Sequence, residues 1–411
     1  MILRARIVLP IVRPPIEDGA VLVVGRRIAA VGSWRELAKM RGGKTVDLGD
    51  ALLLPGLVNA HCHLDYTAMT GLPAPRRFTD WIQALVALKS SFTFSDYAES
   101  WLEGARMLVR TGTATVGDIE AVPELLPDVW SATPLRVCSF LEMTGVKGRR
   151  DPKAILREAT DRIKSLRPER GSVGLSPHAL YSTSAHLLAL TARAARRNDW
   201  RVAMHVAESA EESQMYRQRR GALFNWLKSQ RDMDDCCGHT PLERVQQSGL
   251  LRPNFLAVHA NCLEPSDVQW LAGSGASVVH CPRSHAYFQH PPFPRAALAA
   301  AGVNICLGTD SLASVLKARG RRLELNMFLE MRALAARAPE LPPAEIVRMA
   351  TINGARALGL GGRVGEISRR SFADLIAIPF TGRAADADAA IVNYTDGVAA
   401  SMIDGQWAVE P

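Results

Sequence analysis

No run of this 411-residue chain is apolar for anything near the roughly 20 residues that a membrane-spanning helix needs. The amino terminus MILRARIVLPIV is short, reads as a strand and lacks a small-residue cleavage site, so it does not look like a secretion signal. Cysteine is sparse and odd in number: seven residues, no CxxC pair, and an adjacent Cys236-Cys237 that cannot staple a loop. Reduced thiols in a soluble, cytoplasmic protein are expected. Aromatic residues reach only 6%, and none is interleaved with the short basic clusters Arg149-Arg150, Arg196-Arg197, Arg217 to Arg220 and Arg319 to Arg322. The net charge of +8, from 49 Lys and Arg against 41 Asp and Glu, therefore reads as solvated helix faces, not as a nucleic-acid surface. No internal repeat or low-complexity segment is present, although Ala384 to Ala390 reads as a small Ala/Asp-rich loop.

What is present is a hydrophobic content of 47% and a clear change of pattern along the chain. Residues 1 to about 55 look like a small β module, with strands at 7–10, 20–24, 28–32 and 44–48. From Leu53 onward, eight apolar strand candidates alternate with amphipathic helical stretches. The strands are predicted at 53–60, 114–117, 135–141, 172–175, 201–204, 255–258, 276–279 and 303–307. The helices are predicted at 95–110, 152–166, 184–198, 211–227, 264–271, 294–301, 321–338 and 343–358, with Ser184 as an N-cap and Pro152 and Pro343 at helix starts. This alternation predicts an α/β chain whose centre is a (β/α)₈ barrel over residues 56–359. After Gly359, strands are predicted at 364–367 and 373–378, and a hairpin at 398–409. The ends 1–55 and 360–411 are expected to form one composite β-sandwich domain.

Polar residues stand where the apolar runs stop. His61 and His63 end the first barrel strand, and side chains at i and i+2 of a strand share a face. Asp118, Glu142 and His178 follow the next three strands. His205 and, three residues on, Glu208 follow the fifth, and His259 the sixth. Cys281-Pro282-Arg283-Ser284 follows the seventh and Asp310 the eighth. Each has a plain structural alternative: a helix cap for Asp310, a core histidine for His205 or His259, a first-turn acid for Glu208. Independent coincidence at so many strand ends is a poor explanation. Three imidazoles and a carboxylate suit one divalent transition ion, with zinc the default and iron or manganese the alternatives.

These motifs resemble the amidohydrolase superfamily, in its branch of cytosine/adenosine deaminases and chlorohydrolases. The segments that carry the resemblance are Pro55 to His63, Ser176-Pro177-His178-Ala179, His205 to Ser209, Val258-His259-Ala260, Cys281 to Ser284, Leu307 to Ser311 and Ala373 to Ile376. The resemblance implies that His61, His63, His205 and Asp310 hold one metal. Some relatives hold a second through a modified lysine after the fourth strand, but no lysine stands in residues 171–183. It further implies that Asp310 accepts a proton from the attacking water, that His259 bonds the developing tetrahedral centre, and that Glu208 shuttles the proton. The implied reaction is hydrolytic deamination of a 6-aminopurine compound. Within the branch, Cys281 to Ser284 and His61 to Asp65 most resemble aminodeoxyfutalosine deaminases of menaquinone synthesis. A carboxylated small-molecule substrate of that kind would give Arg283 a bidentate partner. His178 is a candidate for contact with the ring or its substituent, Glu142 and Asp65 are weaker candidates for sugar or amine contacts with structural roles as the alternative, and Asp118 is expected to be structural. His285 stands where many relatives have asparagine, which puts a base-edge contact in doubt. Hydrolytic dechlorination or cyclic-amide opening on the same scaffold is the nearest alternative, and a non-catalytic scaffold a distant one. No nucleic-acid or membrane partner is expected; self-association is left open. The PCxxC signature of the small zinc deaminases is absent.

Overall fold

The computed structural model describes residues 1–40, 43–71, 77–145, 150–317 and 322–411. Strands β1 (Ile2–Val8), β2 (Ile16–Val24), β3 (Arg27–Ser33), β4 (Thr45–Asp47) and β5 (Ala51–Pro55) come first. Then β6 (Leu57–Cys62), β7 (Thr113–Glu120), β8 (Arg136–Met143), β9 (Gly171–Pro177), β10 (Val202–Val206), β11 (Phe255–His259), β12 (Ser277–His280) and β13 (Asn304–Leu307) alternate with helices. Last come β14 (Leu375–Pro379), β15 (Ala400–Ile403) and β16 (Gln406–Val409).

Strands β6 to β13 lie in chain order, each parallel to the next. The two edges meet: the amides of Thr309 and Asp310 both donate to His61 O (3.0 and 3.2 Å), and His63 N donates to Asp310 O at 3.3 Å. Gly308 permits this closure, because a Cβ there would lie 2.8 Å from His61 O and 2.9 Å from His61 Cβ. The result is the predicted parallel barrel, with buried strands covered by helices.

A second, mixed sheet is built from both chain ends, in the order β16-β15-β14-β5-β1-β2-β3, with β4 on β1. Period-two alternation divides its side chains. Leu52, Leu54, Ile376 and Ile378 join the core around the barrel helices, whereas Ala51, Leu53, Leu375 and Ala377 pack into a separate core. That second core also takes Leu3, Ala5, Val21 and Met402.

Several elements differ from the sequence expectation. The apolar run 53–60 is two strands, not one, because Gly56 hands the chain from one sheet to the other: its amide bonds Asp374 O, while Leu57 N bonds Gly112 O. Residues 211–227 form two helices, Ala210–Gln218 and Ala222–Leu227, broken at Arg219 and Gly221, whose φ values are +51° and +99°. Residues 343–358 are also two, Pro343–Met349 and Ile352–Ala357; Thr351 leaves helical geometry and its hydroxyl bonds Val347 O. The helix expected from 321 begins at Met327, and Arg321, like Arg149 and Arg319, lies outside the described residues. Residues 364–367 are bends and irregular backbone, not a strand. The expected loop 384–390 is helical: Ala387–Asn393 buries Ala387, Ile391 and Val392 in the core that surrounds the barrel. A helix absent from the prediction, Phe78–Lys89, covers the open end of the barrel near β6. No helix of the described residues is long and apolar enough to cross a membrane, and all seven cysteines are unpaired.

Candidate active site

The C-terminal ends of the barrel strands bring His61, His63, His205 and Asp310 together. His63 Nε2 lies 3.2 Å from His205 Nε2, and Asp310 Oδ1 lies 3.6 Å from His61 Nε2 and 3.8 Å from His63 Nε2. Donors about 2.1 Å from a tetrahedral ion would be about 3.4 Å apart, so these spacings match the edges of a coordination polyhedron. The free valences point the same way. Both ring nitrogens of His61 are buried without a hydrogen-bond partner. His205 Nδ1 donates to His178 O at 2.8 Å, which leaves the Nε2 lone pair facing inward. Ser314 Oγ donates to Asp310 Oδ2 at 2.7 Å and leaves Oδ1 for the histidines. Burial, reinforced by neighbouring imidazoles, pulls His63 and His205 well below the usual histidine range. Burial opposes ionisation of Asp310, but His61, His259 and His63 outweigh it and hold the carboxyl well below its usual range. Three imidazoles around one carboxylate are the donor set a divalent cation requires.

Backbone strain sits at the same place. Ala207, His259, Ala260 and Asp310 have φ of +51°, +70°, +48° and +54°, each at or just beyond a strand end. Non-glycine residues there cost on the order of 1 kcal/mol each and persist where the surroundings hold them. Here Ala260 N donates to Val206 O and Cys262 N to Ala207 O. Asn59 supports the other side: its carbonyl oxygen accepts from Thr309 N (3.1 Å) and its amide donates to Thr309 Oγ1 (2.7 Å), tying β6 to the Asp310 turn.

Glu208 and His259 face each other, with Oε1 3.5 Å from Nε2. Burial, then the charges of Asp310 and Glu212, push the Glu208 carboxyl well above its usual range. Burial pulls His259 down to about 3, against the pull of Asp310. Burial thus favours the uncharged form of both groups. Both line a cavity of about 270 Å³ together with His63, His205 and Asp310. One wall is apolar, from Trp81, Ile82, Leu85 and Val86 of the helix Phe78–Lys89 and from Trp226 and Leu227.

The amidohydrolase family model matches residues 52–408. The chain belongs to this family. Among curated relatives it is 29% identical, over 89% of its length and 80% of the relative's, to the 5-methylthioadenosine/S-adenosylhomocysteine deaminase of Syntrophobacter fumaroxidans. It is 30% identical, over 84% of its length and 82% of the relative's, to the aminodeoxyfutalosine deaminase of Deinococcus radiodurans. Among solved structures it resembles a zinc-bound adenosine deaminase from Xanthomonas campestris, with a TM-score of 0.84 at 26% identity, over 99% of this chain and 92% of the other.

In this amidohydrolase the remaining predicted residues divide into two groups. His178 and Glu142 line the cavity. His178 Nδ1 is paired with Ser182 Oγ at 2.7 Å, and Nε2 lies 4.0 Å from Glu142 Oε2. Arg283 does not line it. Its Nη1 donates to Glu324 O at 2.9 Å and lies 3.6 Å from Glu330 Oε1, and Glu330 is wholly buried. The Arg283 guanidinium thus stands against Glu330, apart from the cavity lining. His285 also stands apart, with Nε2 on Pro291 O at 2.9 Å. Asp65 is buried away from the cavity lining, and Asp118 accepts from Leu64 N and Trp101 Nε1, both at 2.9 Å. Sequence inspection missed Ser314, Asn59, Lys89 and the helix that carries Lys89. Phe78, Trp81, Ile82, Leu85 and Val86 follow the i, i+3, i+4, i+7, i+8 pattern that could have found it.

Proposed function

We propose that this amidohydrolase is a hydrolytic deaminase of adenosine-like nucleosides. The observation that supports this reading best is the place of Glu208: a buried carboxyl on the cavity wall, 3.5 Å from His259 and beside the three-histidine, one-aspartate group, where burial favours the protonated form. Departing ammonia needs a proton, and chloride does not, which favours deamination over dechlorination. The substrate class comes from the curated relatives, named for 6-aminopurine nucleosides. Aminodeoxyfutalosine is one of these, but a carboxylated substrate loses the support that Arg283 was expected to give.

His61, His63, His205 and Asp310 would hold a divalent ion, zinc by donor type. When bound, such an ion supplies Lewis acidity that brings the pKa of a water toward neutrality. The chain's own residues supply the rest. Asp310 Oδ1 accepts a proton from the attacking water. His259 Nε2 hydrogen-bonds the oxygen at the carbon under attack. Glu208 delivers its proton to the ring nitrogen beside that carbon, then takes the hydroxyl proton of the adduct and passes it to the leaving amine as the carbonyl forms; the proton held by Asp310 restores the acid. The apolar wall excludes bulk water from the transfer.

The test is ammonia release from adenosine, 5′-deoxyadenosine, methylthioadenosine and a carboxylated analogue, with metal content measured on the same protein. Ammonia in stoichiometric yield with the corresponding inosine compound supports the reading. Inactivity of a metal-replete sample on every adenine nucleoside defeats it.

A further inference from the structure

Glu212 is a wholly buried acid that the chemistry above does not use. It is not part of the cavity lining, yet it stands directly behind the residue on which proton transfer depends. Glu208 sits on the turn between β10 and the helix Ala210–Gln218. Ala207, which opens that turn, has φ of +51°, a conformation that a residue with a Cβ keeps only where its surroundings hold it.

The turn is held from two sides. On one side is the segment after β11: Cys262 N donates to Ala207 O at 2.9 Å, and Asn261 Nδ2 donates to Glu208 O at 3.0 Å. These bonds tie both carbonyls to the stretch that carries His259. On the other side is Glu212. Its Oε2 accepts from Glu208 N at 2.9 Å, and its carboxyl also takes the Ala207 amide. Both peptide N–H groups of the turn therefore end on one side chain.

A simpler arrangement was open to Glu212. Ser209 caps the helix, and its hydroxyl accepts from Glu212 N at 3.2 Å. In the usual reciprocal cap, an acid at this position returns a bond to the amide of the capping residue. Glu212 reaches past Ser209 to the two residues before it. Helix capping does not require that reach, and it leaves Glu212 Oε1 buried with no hydrogen-bond partner, which is costly. What the reach secures is the direction of Glu208, whose Oε1 faces His259 Nε2 at 3.5 Å.

Resting on the deaminase reading, we propose that Glu212 is the positioning residue of the general acid: by holding the amides of Ala207 and Glu208, it fixes the Glu208 carboxyl against the reacting ring. Glu212 acts through its acceptor oxygen and its length, and takes no part in bond breaking.

The experiment measures kcat and KM of metal-loaded wild type, Glu212→Ala, Glu212→Asp and Glu212→Gln on adenosine and on a 6-chloropurine nucleoside. Metal content and melting temperature are taken on the same samples. Alanine removes the acceptor, aspartate keeps the charge but is one methylene too short to span both amides, and glutamine keeps the length and an acceptor oxygen. Misplacement of a reacting group by about 1 Å costs about 100-fold, so kcat on adenosine should fall about 10- to 100-fold in the alanine and aspartate variants, with KM within about threefold. Glutamine should hold kcat within about threefold of wild type. Chloride leaves without a proton, so losses on the chloropurine nucleoside should be severalfold smaller. The Ser209 cap and the bonds from Thr79 N and Oγ1 to Glu211 remain in every variant, so the helix and the metal content should persist. An adenosine kcat within threefold of wild type in both Glu212→Ala and Glu212→Asp overturns the proposal, as does a glutamine variant as poor as alanine. Equal losses on both substrates, or losses that follow metal content or melting temperature, make Glu212 a scaffold residue and also overturn it, while the deaminase reading stands. A wild type that deaminates no nucleoside overturns both.

Discussion

Glu208→Gln separates proton delivery from everything else that Glu208 does. The substitution is isosteric, and the structural bonds at this position belong to the backbone: Glu208 N donates to Glu212 Oε2 at 2.9 Å, and Asn261 Nδ2 donates to Glu208 O at 3.0 Å. Both survive the change, so the melting temperature and the metal content should stay at wild-type values. The variant cannot release a proton from its side chain. General acid–base work of this kind contributes about 10²- to 10⁴-fold, or roughly 3–5 kcal/mol of barrier. Ammonia release at saturating adenosine should fall within that range, with KM changed little. A 6-chloropurine nucleoside adds a second comparison. Its leaving group needs no proton, so its loss in Glu208→Gln should be smaller than that on adenosine. Turnover within threefold of wild type on adenosine would remove Glu208 from the proton path. Equal losses on both substrates would confine it to the ring nitrogen.

Glu212 gives a pH prediction. Burial raises its carboxyl to about 7, against the amides of Glu208 and Ala207. The folded chain therefore binds this proton more tightly than the unfolded chain, and the sign follows: this contribution is fully present at pH below the unfolded value of 4.5 and is lost as pH rises through about 7. Relative to wild type, Glu212→Gln should gain up to about 3 kcal/mol of stability between about pH 4 and pH 8 in denaturant titrations; a constant difference across that window refutes the assignment. Arg283→Met removes the partner of wholly buried Glu330, so stability should fall by about 1–3 kcal/mol. Its kcat/KM should fall equally on carboxylated and plain nucleosides; a loss confined to carboxylated ones would restore the direct contact. Ser314→Ala frees Asp310 Oδ2 and should weaken metal affinity about 10- to 100-fold in chelator competition. Unchanged affinity would make Ser314 a packing residue only.

The fold and the metal-ligand group were legible for one reason. In a parallel barrel every strand ends at the same rim, so the residue after each apolar run is already assigned to the site. His61, His63, His205, His259 and Asp310 are read that way, without knowing how the helices pack. The strand boundaries that failed did so where one residue changes the course of the chain. Gly56 splits an unbroken apolar run because two sheets compete for its neighbours, and nothing in the alternation marks that exchange.

The substrate side was not legible, because it is built by residues that the rim rule does not reach. Arg283 sits after the seventh strand and satisfies the rule, yet its charge is claimed by Glu330, which lies 47 positions away in sequence. Lys89 satisfies no rule: it ends a helix in the long connection after β6, and only the packing of that helix over the rim places its ammonium beside Glu142. A charged side chain contributes to recognition only with the valences its neighbours leave open, and those neighbours are set by tertiary contact. Ligand identity thus follows from local sequence at the strand ends, whereas substrate preference depends on which buried charges are already paired.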